Sequence, residues 1–182
     1  LYRAFAYFHN QGLNNKEIES SIEKLIFIPE KDDIKIFYED TDITSSIRNE
    51  EIAKVASELS ALSDTRKSLI DIQRNFMRSN NLVADGRDMG TVVFPEAELK
   101  IFLVASAEVR AKRRYLELQN RGQEVNMRDL IADIEARDMM DKSRTLSPLI
   151  PAEESIIIDS STMSLDEVLS FTKKLAKKEL NK

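Results

Sequence analysis

The chain has no cysteine, a single histidine, and only four glycines and four prolines. Without cysteine there are neither disulfides nor thiolate metal sites, which is compatible with a reducing cytoplasm. With His9 alone, histidine-based triads and histidine-rich metal centres are excluded. So little glycine and proline excludes low-complexity sequence and long disordered linkers. No apolar run approaches the roughly 18 residues of a membrane span, and a membrane role is not expected. A surplus of positive charge is also missing. With 27 basic against 32 acidic residues and a net charge of -5, a protein that holds nucleic acid by its overall field is disfavoured, although a local basic cleft remains open.

What is present suits one domain, or one domain with an inserted subdomain: 182 residues, 42% of them apolar and 32% charged, are enough to bury a real core. The opening Leu1 to Phe8 already has helical spacing, with no start signal and nothing resembling a secretion signal, so the beginning reads as cut. A second helix starts at Asn14, with Glu17 three residues on in capping-box fashion, and is expected to run through Ile18, Ile22 and Leu25 before Pro29. Ile34 to Tyr38 reads as a strand and Thr41 to Ile47 as its hairpin partner, together a small satellite sheet. Asn49 to Leu62 and Ser63 to Ser79 read as amphipathic helices. From Leu82 the texture changes. Short apolar strands (Leu82 to Ala84, Lys100 to Ala105, Ser155 to Ile158) alternate with helices (Ala107 to Gln119, Met127 to Met140, Leu165 to Leu180), the pattern of a parallel sheet covered by helices. Ser164 and Glu167 mark the start of the last helix as a second capping box.

The stretch with most chemistry is Leu82 to Pro95, where an apolar strand runs straight into Asp85-Gly86-Arg87-Asp88 and Gly90. Ligands of open parallel sheets sit at the carboxyl ends of strands, so two carboxylates around one arginine suggest a phosphate grip beside a Mg²⁺ ligand. A solvated turn with an Arg-Asp pair reads equally well from these residues alone. Arginine is unevenly placed: seven of 13 (Arg110, Arg113, Arg114, Arg121, Arg128, Arg137, Arg144) fall within 35 residues. Arg137, Asp141 and Arg144, at offsets of four and seven, share one helical face that can bind a phosphate and a base or sugar, or can be an exposed salt-bridge ladder. Arg110, Arg113 and Arg114 gather on one side of the helix that leaves the strand Lys100 to Ala105. There they suit phosphoryl transfer, or simply a soluble surface. The span Glu108 to Arg144, with Gly122 at its turn, fits a helical lid. Ser57 and Arg66 lie on consecutive helices and also have ordinary structural readings, as do His9, Tyr2 and Arg3.

These residues together resemble the bacterial-type cytidylate kinases, nucleoside monophosphate kinases of the P-loop fold. Asp85-Gly-Arg-Asp-Met-Gly-Thr-Val-Val-Phe-Pro95 is similar to that family's signature. Tyr2-Arg3, Ile47-Arg48, Ala56-Ser57, Arg66, Arg137-Asp138, Asp141 and Arg144 fall in register around it. The resemblance implies an α/β fold, a P-loop NTPase-like parallel sheet flanked by helices. It divides the chain into core helices at 1–24, a CMP-binding insert at 25–62, core at 63–106, lid and substrate-contacting helices at 107–145, and core at 146–182. It implies an ATP-dependent phosphotransferase acting on CMP or dCMP with Mg²⁺, monomeric and cytoplasmic, with no nucleic-acid partner. Arg3, Arg87 and Arg137 would grip the monophosphate; Arg66 and Asp88 would face the cytosine. Ser57 and Asp141 would bind base or sugar hydroxyls, with Arg144 supporting the pocket. Asp85 would order Mg²⁺ through water, while Arg110 and Arg114 would cover the donor phosphates. The family's first strand and its Gly-rich phosphate loop, ending Gly-Lys-Gly/Ser-Thr, have no counterpart in these residues. They are expected upstream of Leu1, in roughly 35 to 40 further residues. Without them the alternative is a catalytically inactive nucleotide-binding fragment or interaction module.

Overall fold

The computed structural model describes residues 1–30, 33–77, 81–120 and 122–181. They form a mixed α/β protein of two compact units, Leu1–Val83 and Ala84–Lys182. Arg121 and the expected end of the helix at Arg78 and Ser79 lie outside the described residues.

The first unit is built on α1 (Tyr2–Asn10), whose composition is apolar on nearly every side. Phe5 and Phe8, each 1% exposed, pack in one cluster with Ile18 and Ile22 of α2 (Asn15–Glu23) and Leu69 of α5 (Ser63–Asn75). Ala6 faces the other way, onto Ile52 and Ala56 of α4 (Glu50–Leu59). A helix covered on two sides needs this breadth of apolar surface, and each buried phenylalanine contributes about 1.5–3 kcal/mol. Asn14 caps α2, accepting from the N–H of Glu17, whose carboxylate takes the Asn14 N–H at 2.8 Å, so the first capping box is real.

The helix does not reach Leu25. It ends at Glu23, and Leu25–Pro29 is a strand, β1, paired antiparallel with β2 (Ile34–Tyr38) in the register Leu25↔Tyr38 to Pro29↔Ile34. Leu25 completes a helical 18–22–25 spacing, but Leu25 to Ile28 is a continuous, β-branched and aromatic run. One helical face cannot bury it, and a paired strand can. The expected partner Thr41 to Ile47 is likewise shorter: only Thr41–Asp42 (β3) pairs with β2. The chain then turns into α3 (Thr44–Ile47), because the Asp42 carboxylate takes the Thr44 N–H at 2.9 Å and the Thr44 hydroxyl takes the Ile36 N–H at 2.8 Å. The Asp42 carboxyl lies below its usual value as a result of its Thr44 hydrogen bonds.

In the second unit β4 (Ile101–Val104) and β5 (Ile156–Asp159) pair in parallel from Ile101↔Ile156 to Val104↔Asp159. The expected strand Leu82 to Ala84 is absent. No described strand runs beside it, Val83 is 99% exposed, and the boundary between the two units falls within it. A strand exists only through its ladder, so an apolar triplet with no partner stays irregular. Two helices, α6 (Ala107–Asn120) and α7 (Met127–Ser143), pack on each other as a hairpin. Its turn contains Gly122 at φ +74°, a conformation that glycine adopts without strain.

The last helix, α8 (Leu165–Leu180), starts where the sequence marks it: the Ser164 hydroxyl accepts from the Glu167 N–H, and the Glu167 carboxylate takes the Ser164 N–H and hydroxyl, both at 2.8 Å. Those bonds hold the Glu167 carboxyl below its ordinary 4.5. A depressed carboxyl contributes stability that is full above the unfolded value and lost as pH falls through the folded one. Ser164→Ala is expected to cost about 1 kcal/mol at pH 7. In amide exchange along α8, its gap from the wild type should narrow below pH 4.5; a gap that stays constant down to pH 3 would contradict the coupling.

Candidate functional site

The second unit carries most of the chemistry-bearing residues. After the exposed Asp85, Gly86 and Arg87, the chain buries Asp88 (4% exposed) and enters a wide turn over Met89–Val93. The Asp88 carbonyl accepts from the N–H of Val92 at 2.9 Å and of Val93 at 3.2 Å, and the Phe94 N–H reaches Met89 O at 2.7 Å. Bonds spanning five residues make this a π-turn, a form that recurs at functional sites. No residue type in Met89-Gly-Thr-Val-Val93 announces it, so sequence reading misses it.

Asp141 sits on α7 and is 2% exposed. Arg87 Nε donates to its Oδ2 at 2.9 Å, tying the Asp85–Asp88 loop to the helix. Arg144, 9% exposed, brings NH2 to Oδ1 at 2.6 Å, an ion pair whose N–H direction is off-line, so that Oδ1 lacks an aligned donor. The helical spacing places Arg137 and Arg144 around this carboxylate; instead the two guanidiniums are those of Arg87 and Arg144. Among the described residues the half-buried Arg137 forms no ion pair.

The three arginines of α6 are all engaged. Arg110 forks onto Asp138 of α7, NH1 to Oδ1 at 3.0 Å and NH2 to Oδ2 at 2.5 Å, and its Nε donates to Ala105 O at 3.1 Å. Arg113 donates to Ser160 O at 2.6 Å and to its hydroxyl at 3.2 Å, fixing the loop after β5. Arg114 pairs with Glu117 at 2.6 Å. In the same loop Ser161 donates its N–H to Asp159 at 2.9 Å, and the Ser161 hydrogen bonds hold the Asp159 carboxyl below its usual range. The Glu108 carboxyl is lowered by its own backbone N–H and by Ser106.

In the first unit, Arg3 reaches the carbonyls of Ile47 at 3.4 Å and Asn49 at 3.5 Å, both long contacts. Arg66 donates to Ser60 O at 2.7 Å with its guanidinium 5.7 Å from the Tyr2 ring centroid, and the Ser60 hydroxyl donates to Ser57 O at 2.8 Å. Tyr2, Ser57 and Arg66 are thus joined, with Arg3 next to Tyr2 in the chain. Arg48 closes the hairpin base on Asp33 and Ile34 O. The first unit therefore carries Arg3, Ser57 and Arg66. Asp85, Arg87, Asp88, Arg110, Arg114, Arg137, Asp141 and Arg144 belong to the second.

The family model for cytidylate kinase matches residues 1–178. The chain belongs to the cytidylate kinase family. It is 46% identical over 144 residues to a cytidylate kinase of Pasteurella multocida, covering 79% of this chain and 63% of the relative. It is 45% identical over 143 residues to cytidylate kinase 1 of Haemophilus influenzae, covering 79% and 62%. With a cytidylate kinase of Stutzerimonas stutzeri the identity is 44% over 177 residues, 93% of this chain and 77% of that one. The chain thus spans less than two thirds of the length of the first two cytidylate kinases. Among the described residues, no helix is long and apolar enough to cross a membrane.

Proposed function

We propose that the protein transfers the γ-phosphoryl group of ATP to CMP or dCMP, giving CDP or dCDP, as a cytoplasmic monomer. The observation that carries this reading is the charge arrangement on α7: a buried Asp141 balanced by Arg87 and Arg144, with Arg137 one turn earlier and in no ion pair among the described residues. A neutralised carboxylate can accept from a base or sugar, while an uncommitted guanidinium can take a phosphate in fork geometry. Arg87 engages Asp141 through Nε, and its terminal nitrogens would reach for the same phosphate.

In this reading Arg3, Arg87 and Arg137 grip the monophosphate, and Arg66 and Asp88 face the cytosine. Ser57 and Asp141 take base or sugar hydroxyls, and Arg144 supports the pocket beside Asp141. Residues 25–62 form the acceptor insert and 107–145 the lid, and the remainder is core. Arg114, paired on its own helix with the partly exposed Glu117, would turn to a donor-phosphate oxygen. Catalysis then consists of aligning two phosphates and neutralising them, with no covalent intermediate.

The donor set bears on Mg²⁺. Among the described residues no three ligating side chains come together, and Asp85 is an exposed carboxylate at the site. One accessible carboxylate fits an ion that keeps several waters and takes its other ligands from phosphates. Asp85 would hold it through water, and the ion would neutralise charge on the donor phosphates.

The test is ADP release with ATP, Mg²⁺ and one monophosphate at a time. CMP and dCMP are expected to turn over. No release with CMP, while another nucleoside monophosphate or a non-nucleotide acid serves, rejects the assignment.

A further inference from the structure

We propose that Asp138 is a positioning residue: acting through Arg110, it sets the direction in which Arg137 meets the acceptor phosphate. The inference rests on the reading of Arg137 as a phosphate grip. It starts from a weakness of α7, where Asp141 is the one buried residue in 17. Its half-buried apolar positions, Met127, Leu130, Ile131 and Ile134, stop one turn short of Asp138, so polar ties must fix the turns that follow.

The tie nearest Arg137 is Asp138, which receives both terminal nitrogens of Arg110. Arg110 in turn gives Nε to the carbonyl of Ala105, one residue beyond β4, at 3.1 Å. Three of the five donors on this guanidinium therefore form a continuous link from α7 to the carboxyl end of a core strand. The side chains are 34% and 29% exposed, so the pair is less screened than an ordinary surface pair, and it is bidentate. Successive helical residues point about 100° apart, so with Asp138 held against α6, the direction of Arg137 is set. Displacing such a grip by about 1 Å is enough to impair catalysis severely. The same geometry makes Arg110 a brace and leaves the covering of donor phosphates to Arg114.

A double-mutant cycle separates the brace from a direct donor role. The measurements are CMP binding by calorimetry and the KM for CMP and for ATP in wild type, Asp138→Asn, Arg110→Gln and the double variant. Each single change is expected to weaken CMP binding about tenfold with KM for ATP unchanged, and the double variant to lose no more than either, since all three break one link. Asp138→Glu, which retains the charge, should recover part of the loss and controls for misfolding. The inference is overturned if Asp138→Asn binds CMP like wild type, if the two losses multiply, or if Arg110→Gln raises the KM for ATP. A wild-type protein that phosphorylates CMP while Asp138→Asn is normal sinks this inference alone; a wild type that binds no CMP brings down the kinase reading with it.

Discussion

Asp141→Asn should be the most destabilising single polar substitution in the second unit, lowering its stability by about 3–5 kcal/mol, the cost of removing one partner from a buried ion pair. The asparagine fits the same space, so no cavity forms. What changes is charge: Arg144, 9% exposed, loses the buried carboxylate that faces it. Arg87 contributes far less, because its side chain is 55% exposed and solvent screens whatever it loses. Arg87→Ala is therefore expected to cost under about 1 kcal/mol, even though it touches the same carboxylate. Urea unfolding monitored by amide exchange in α7 distinguishes the two. Equal stability for Asp141→Asn and wild type would mean that the buried carboxylate is not balancing Arg144 at all. The Leu149 N–H donates to Asp141 O at 2.8 Å, so loss of order at position 141 should also reach the connection beyond α7.

Much of this arrangement is legible in the linear sequence where the signal is local. Ser164 with Glu167, Asn14 with Glu17, and the alternation that gives β4, α6, α7, β5 and α8 are all short-range features, and each forms where it is read. Asp88 and the arginines stand out by their charge alone, since the strand expected just before them, Leu82 to Ala84, does not form. What escapes is whatever depends on a partner far along the chain. Leu25 to Ile28 satisfies a helical spacing and a strand equally well, and only Ile34 to Tyr38 lying alongside decides it. Leu82 to Ala84 has a strand's composition and no ladder among the described residues, so composition misleads there. The pairing of Asp141 is the same lesson in side chains. Spacing on one helix nominates Arg137, but Arg87, which the chain brings in from a loop more than fifty residues away, takes the position. Arg110 and Asp138 are separated by 28 residues, and nothing in either segment's own pattern marks them as a pair.

Arg137→Ala should show the opposite profile to Asp141→Asn: nearly unchanged folding and a large loss of activity. Because Arg137 forms no ion pair among the described residues, truncating it breaks none there. Stability should stay within about 1 kcal/mol of wild type, the loss being the packing of a half-buried stem rather than a broken ion pair. In the proposed reading its charge would act on the acceptor phosphate both when CMP is bound and when the oxygens rearrange toward the transferring group. Loss of the guanidinium should therefore raise KM for CMP and lower kcat together, with kcat/KM falling about 10²–10³-fold, the scale seen when one preorganised charge-stabilising donor is removed. Arg137→Lys keeps the charge but loses the planar fork, so it should recover binding more than turnover. Steady-state kinetics with CMP varied at saturating ATP gives both parameters. If kcat/KM is unchanged in Arg137→Ala, this guanidinium has no part in the reaction.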